Sequence, residues 1–267
     1  ISIEGAELYC EWLTEERNNL NPEKYGTLVN KVRLPTAKEW VRAAKGKSVI
    51  SIYSSGNAIK NEMGCYLVNF MPGNNTATSC IENMSKNAYA ADGGFSTVKV
   101  SSYNPNGSGL FNMSGNVAEI VYYEDENNIA GTKGGSWMST EEELKIEGKD
   151  PFKGKLVPSI KIGFRPVITY LTSGDGKITD DDYRFTNLSP MQIEENNKIK
   201  ANMLKELSKF DKKKYAFIPS GTTTIKGEQI SIQAFYMQTT EVSVLEYRTF
   251  LFDLLIQNRK DEFLIAK

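Results

Sequence analysis

Apolar residues recur at three- and four-residue spacing near the start of the chain, at Ala6, Tyr9, Cys10 and Leu13. That is the period of one helix face, and Ser2 stands where its hydroxyl can cap the first turn. The stripe predicts a helix ending near Arg17. A Thr-x-x-Glu pair, Thr36 and Glu39, precedes Trp40, Val41, Ala43 and Ala44. It predicts a second helix that begins directly after Arg33-Leu34-Pro35. From 45 to 133 the chain is rich in Gly, Asn and Ser, with short apolar runs at 97–100 and 117–123 that read as strands among loops. So long an irregular stretch calls for extra fastening, often by a metal ion.

Gly134-Gly135-Ser136-Trp137 and Ile162-Gly163-Phe164-Arg165-Pro166-Val167 read as two further strands, and the charged residues 141–155 between them as a solvated loop. A boundary falls at Thr172. Residues 172–188 are polar, and Ser189-Pro190 opens a helix to about Phe210, with Ile199, Met203, Leu204 and Leu207 as its stripe. Beyond Lys212-Lys213-Lys214, residues 215–219 and 229–237 alternate like a hairpin. Ser243-x-x-Glu246 then caps a final helix carrying Leu245, Phe250, Leu251, Leu254 and Leu255. The predicted class is α+β with much coil.

Composition narrows the function. With 267 residues, 40% of them hydrophobic, the chain can bury one good core or two small ones. Its 32 basic and 33 acidic side chains nearly cancel, which argues against nucleic acid as a partner. No apolar run is long enough to span a bilayer, and a start at Ile1 without Met or a signal pattern reads as a processed or trimmed chain. Histidine is absent, which removes the commonest general base, His-dependent nucleophile arrangements and every His-based metal site. Of three cysteines, Cys10 lies on the first helix stripe and reads as a buried free thiol. Cys65 and Cys80 would bridge in an oxidising compartment and stay reduced otherwise.

Four motifs in order then carry a resemblance: Val32-Arg33-Leu34-Pro35-Thr36 with the helix after it, NGSGLFNMSGNVAE at 106–119, KGGSW at 133–137 and GFRPV at 163–167. The chain resembles the formylglycine-generating-enzyme, or sulfatase-modifying-factor, family. The wording NFMPG at 69–73, DGGF at 92–95 and IGFRPV at 162–167 is most similar to gliding-motility lipoproteins (GldJ/GldK type) of type IX secretion systems. The resemblance implies a modified C-type-lectin-like α+β fold with little regular structure and bound calcium. The family's opening segment, YAFIPSG followed by a strand and an EVTNxEYxxFL-like helix, stands at the far end here, at 215–221 and 241–251. Residues 1–170 therefore read as the later part of such a domain, 171–210 as a polar linker and connecting helix, and 211–267 as the segment similar to the domain's beginning. That last segment can complete the first part, swap into a second copy or begin a tandem domain.

The resemblance also places sites. Asn112, Gly115 and Val117 would offer carbonyls, and Glu119 its carboxylate, to one calcium ion, a donor set that suits a hard cation. The bland alternative is a tight Gly turn with Glu119 in a cap or ion pair. A second loop would use Asn69, Phe70, Asp92 and Gly94, although the extra glycine in Asp92-Gly93-Gly94-Phe95 departs from the usual spacing. The family's two copper-binding cysteines correspond to Ser139 and a position near Leu144. A hydroxyl and an isobutyl group do not replace thiolates that select Cu(I), and the iron-dependent relatives need histidine. The expectation is thus no enzyme, but a structural or protein-binding component of a periplasmic or outer-membrane-associated assembly. A lectin-like or small-ligand binder is the alternative, and an enzyme using carboxylates and tyrosines a more distant one. Residues 173–182 resemble half of an EF-hand loop, but Leu171 at its first position offers no side-chain ligand, so a plain acidic linker is preferred. Arg165 reads as a structural fork, and Trp40 and Trp137 as core.

Overall fold

The computed structural model describes residues 1–20, 29–48, 50–72, 92–171 and 211–267. Helix α1 (Ile3–Leu20) starts where Ser2 Oγ accepts the Gly5 N–H at 2.9 Å, and it runs past Arg17 to Leu20. It buries Ala6, Tyr9 and Cys10. Strand β1 (Val29–Arg33) leads into helix α2 (Ala37–Lys45), whose start is the expected capping box: Glu39 N donates to Thr36 Oγ1 and Thr36 N to Glu39 Oε2. Arg33 holds the same Glu39 carboxylate with two N–H groups, at 2.8 and 2.6 Å, which ties the strand to the helix it precedes.

Strands β2 (Ala118–Tyr123) and β3 (Ile129–Lys133) form an antiparallel pair, and β4 (Ile162–Gly163) joins β2 in parallel. A four-stranded antiparallel sheet has the order β1, β5 (Val167–Leu171), β9 (Phe235–Gln238), β6 (Tyr215–Ile218). Strands β7 (Gly221–Ile225) and β8 (Glu228–Ile232) make a hairpin through Lys226 and Gly227, both at positive φ. The short helices α3 (Glu141–Leu144) and α4 (Asp211–Lys214), and the closing pair α5 (Val244–Ile256) and α6 (Lys260–Ala266), complete the fold. The mixed helix and sheet content is that of an α+β protein.

The C-terminal segment is built into the first part. β9 pairs with β5, Val167 opposite Met237 and Ile168 opposite Tyr236. One core joins Tyr9, Val32, Phe164 and Ile168 to Tyr236 and Phe250; a second joins Trp40, Met113 and Val121 to Ile218, Phe235 and Met237. Tyr9 meets Phe250 edge-on at 5.5 Å between ring centroids.

Several expectations are corrected. Residues 97–100 form no strand. Residues 134–137 are a turn, because Gly134 and Gly135 both have positive φ (87° and 67°), which a strand excludes. The charged stretch 141–155 is not simply a solvated loop: it contains α3 and buries Leu144 and Ile146 completely. Residues 215–218 pair with 235–238, while the hairpin lies inside them at 221–232. The 243-capped helix is followed by α6 rather than being the last. Cys10 is a buried free thiol and Cys65 is disulfide-bonded. Cys80, the 172–210 linker with its helix, and the EF-hand-like residues from 172 onward lie outside the described residues.

Candidate functional site

The site is a buried polar seam between two loops, with GFRP residues on one side and the C-terminal segment on the other. Its turns require special backbone. Asn112 and Asn116 have φ of 52° and 65°, and Gly115 has φ 85°. A Cβ on Gly115 would come within 2.2 Å of the Asn69 carbonyl oxygen, so only glycine fits there. That close approach locks the loops together: Asn116 N donates to Asn69 O at 2.8 Å and Gly115 N to Gly134 O at 2.8 Å.

In the first loop Glu119 is fully buried, and its carboxylate is already taken. Arg165 Nε donates to both oxygens at 3.0 Å, Arg165 Nη2 to one at 2.6 Å, and Trp40 Nε1 to the other at 2.8 Å. Arg165 also donates to the carbonyls of Phe111 and Gln238, so the fork expected from the sequence is present. A residue the sequence gave no reason to place here, Glu241, closes the seam. It accepts from Asn116 Nδ2 at 2.9 Å and more weakly from Asn112 Nδ2 at 3.4 Å, and lies 3.9 Å from Arg165 Nη2. Two buried carboxylates thus share one guanidinium. Burial holds Glu241 above the usual carboxylate range despite the nearby Arg165. Burial works against the charge of Arg165, but Glu119 and Glu241 outweigh it and raise its pKa.

The second loop is different. Asp92 is buried, and among the described residues its oxygens accept backbone N–H groups, from Phe70 at 2.7 Å and Gly94 at 3.1 Å. Among the described residues no ion pair reaches it. Burial pushes its pKa up to about 6. Asn69 Oδ1 is buried without a hydrogen-bond partner, and an added Cβ on Gly94 would sit 3.0 Å from that oxygen. All four residues named from the resemblance therefore meet, and they leave an uncompensated carboxylate beside an orphaned carbonyl oxygen, a donor set that suits calcium. At Asn112, Gly115, Val117 and Glu119 a cation would share its only carboxylate with a guanidinium. At Asn69, Phe70, Asp92 and Gly94 it would meet no competing cation among the described residues.

At the position matching the family's first cysteine, Ser139 Oγ accepts the Ser136 N–H at 3.0 Å, and Leu144 is completely buried. The cavity beside Ser139 measures about 10 Å³, room for roughly one water. Cys10, the free thiol, has its pKa pushed up by burial and does not supply a thiolate.

With this geometry in place, comparison with known proteins identifies the domain. A family model described as sulfatase-modifying factor enzyme 1-like domain matches residues 1–170. The chain belongs to that family. A comparison with curated proteins finds no match. The matched residues stop one short of the end of β5, so the family domain as matched includes the Glu119–Arg165 pair but not Glu241.

Proposed function

We propose that this sulfatase-modifying-factor-like domain is non-catalytic and serves as a structural or protein-binding component of a cell-envelope assembly of the secretion and gliding-motility type. The observation that carries the reading is Ser139 with Leu144. Where the family resemblance puts two copper thiolates, the chain has a hydroxyl bound to a backbone N–H and a buried isobutyl group, neither of which binds Cu(I). The family membership implies the modified C-type-lectin-like fold, and with it a framework of irregular loops suited to presenting a surface. Calcium at Asn69, Phe70, Asp92 and Gly94 would fasten those loops.

The test is chemical. The purified chain, given Cu(I), oxygen and a cysteine peptide, is expected to form no aldehyde detectable by hydrazide capture. Aldehyde formation above a protein-free control overturns the reading. In cells, cross-linking followed by envelope fractionation is expected to place the chain with partner proteins; a free, uncross-linked chain would remove the assembly half of it.

One observation favours small-ligand binding as a second reading. A cleft of about 600 Å³ opens between α2, residues 124–126 and the β7–β8 hairpin. On its wall the Tyr123 ring lies under Lys153 Nζ at 4.2 Å, and buried Lys133, which has no carboxylate in ion-pair contact among the described residues, has its pKa pulled down to about 8 by burial. Saturable shifts of Tyr123 fluorescence on adding small anions would support this reading.

A further inference from the structure

Helix α5 is apolar on two opposite sides. Phe250 and Leu254 are fully buried against α1, and Tyr247 and Leu251 pack beside them. Advancing about 100° per residue, Val244, Leu255, Arg248, Phe252, Leu245 and Ile256 fall on the other side within an arc of about 120°. The five apolar members of that set are between 48% and 75% exposed. Leu264 and Ile265 of α6 add to the apolar surface. Seven of the fourteen exposed large hydrophobic side chains among the described residues thus lie on these two helices. A helix apolar on two opposite sides has a second face to bury.

We propose that this outer face of α5 is the contact through which two copies of the chain form a two-fold dimer, α5 packing antiparallel on its copy with Phe252 near the axis. Area supports a protein occupant: seven large apolar side chains, each between 48% and 75% exposed on two consecutive helices, make a patch at the upper end of the ~300–600 Å² of an ordinary monomer and comparable with the ~800 Å² each partner buries in a standard interface. Charge points to a second copy. Arg248, toward the start of α5, and Asp261, just beyond its end, are exposed and have no ion pair among the described residues. An antiparallel two-fold brings the Arg248 end of each helix toward the Asp261 end of the other, so both charges are answered twice by one symmetric contact. The central residues are uncharged, as in the apolar interfaces of homodimers.

The proposal gives the protein-binding reading a specific partner and rests on it only in that sense; a monomer would leave the absence of oxidation chemistry untouched. Sedimentation equilibrium on the full chain is expected to show a dimer at about 10 µM, a concentration at which a micromolar contact is populated. Phe252→Glu, on an exposed position, is expected to raise the dissociation constant at least thirtyfold, roughly the mark of a hot-spot residue, with circular dichroism and melting temperature retained. Arg248→Asp and Asp261→Arg should each weaken the dimer, and the double variant should restore it, which only a contact pairing these two residues does. A wild-type monomer at all accessible concentrations, a dimer indifferent to Phe252→Glu, or a monomer that instead floats with phosphatidylglycerol–phosphatidylethanolamine vesicles would each overturn the proposal.

Discussion

Arg165 has no solvent exposure and spends its N–H groups on Glu119, Phe111 O and Gln238 O, while Glu241 lies close by. Removing it leaves two buried carboxylates without their cation, Glu119 keeping Trp40 Nε1 and Glu241 the Asn116 and Asn112 amides as donors, and takes a donor from two carbonyls. Arg165→Met is therefore expected to cost ~3–5 kcal/mol, read as a lowered midpoint in urea unfolding at neutral pH. The triple variant Arg165→Met, Glu119→Leu, Glu241→Leu should be less damaging than the single one, because it removes the orphaned charges as well. Asp92 makes a separate prediction. Its ordinary value of 3.8 is raised to about 6 by burial, against the backbone N–H bonds that pull it down. Between about pH 4 and pH 6 the native state binds more protons than the unfolded one, so stability should fall as pH rises, by at most ~1.4 kcal/mol per pH unit. Asp92→Asn should flatten that slope. Added calcium should raise the melting temperature at pH 7, and Asp92→Asn should abolish the rise. A calcium response lost instead on Glu119→Gln would move the ion to the other loop.

Local signals at the level of elements were legible because two residues, three positions apart, suffice to state them. Thr36 with Glu39 and Ser243 with Glu246 each specify a capping box, and both boxes form. Thr36→Ala is expected to cost ~1 kcal/mol, measurable by thermal unfolding; Arg33 would still hold Glu39, so β1 should keep its register. What was misread depends on distant partners or on backbone conformation. The turn at 134–137 looked extended because its residue types say nothing of the left-handed φ at both glycines. Leu144 and Ile146 were hidden in a run of charges, and the pairing of β6 with β9 spans an inserted hairpin that alternation alone cannot distinguish from the outer strands. The candidate site divides in the same way. Motif matching named Asn69, Phe70, Asp92 and Gly94, but that Glu119 has a cation, while Asp92 has none among the described residues, follows only from how residues 46 apart in sequence, Glu119 and Arg165, come together. Glu241 approaches Asn112 across 129 residues and could not be assigned a role from the chain order.

For the whole molecule, the decisive arrangement is that 211–267 supplies two strands of the four-stranded sheet, a carboxylate of the buried seam and the helix that covers Tyr9. The segment 211–267 lies outside the residues that the family model matches and still packs into the same body. Burial of Phe235, Tyr236, Met237, Phe250 and Leu254 together is worth on the order of 10 kcal/mol, at ~1.5–3 kcal/mol per large side chain. That is enough to hold the two parts together without a covalent link between them. If a protease site is placed between 171 and 211 and the chain is cut there, the two pieces are expected to co-elute on gel filtration and to melt in one transition. The Arg165→Met variant, cut in the same way, should separate at a lower denaturant concentration than the wild type, because Arg165 bridges the pieces through Gln238 O and lies beside Glu241. Pieces that part on cutting in the absence of denaturant would mean that 211–267 does not complete this body, and that the apolar faces it covers are met by another chain.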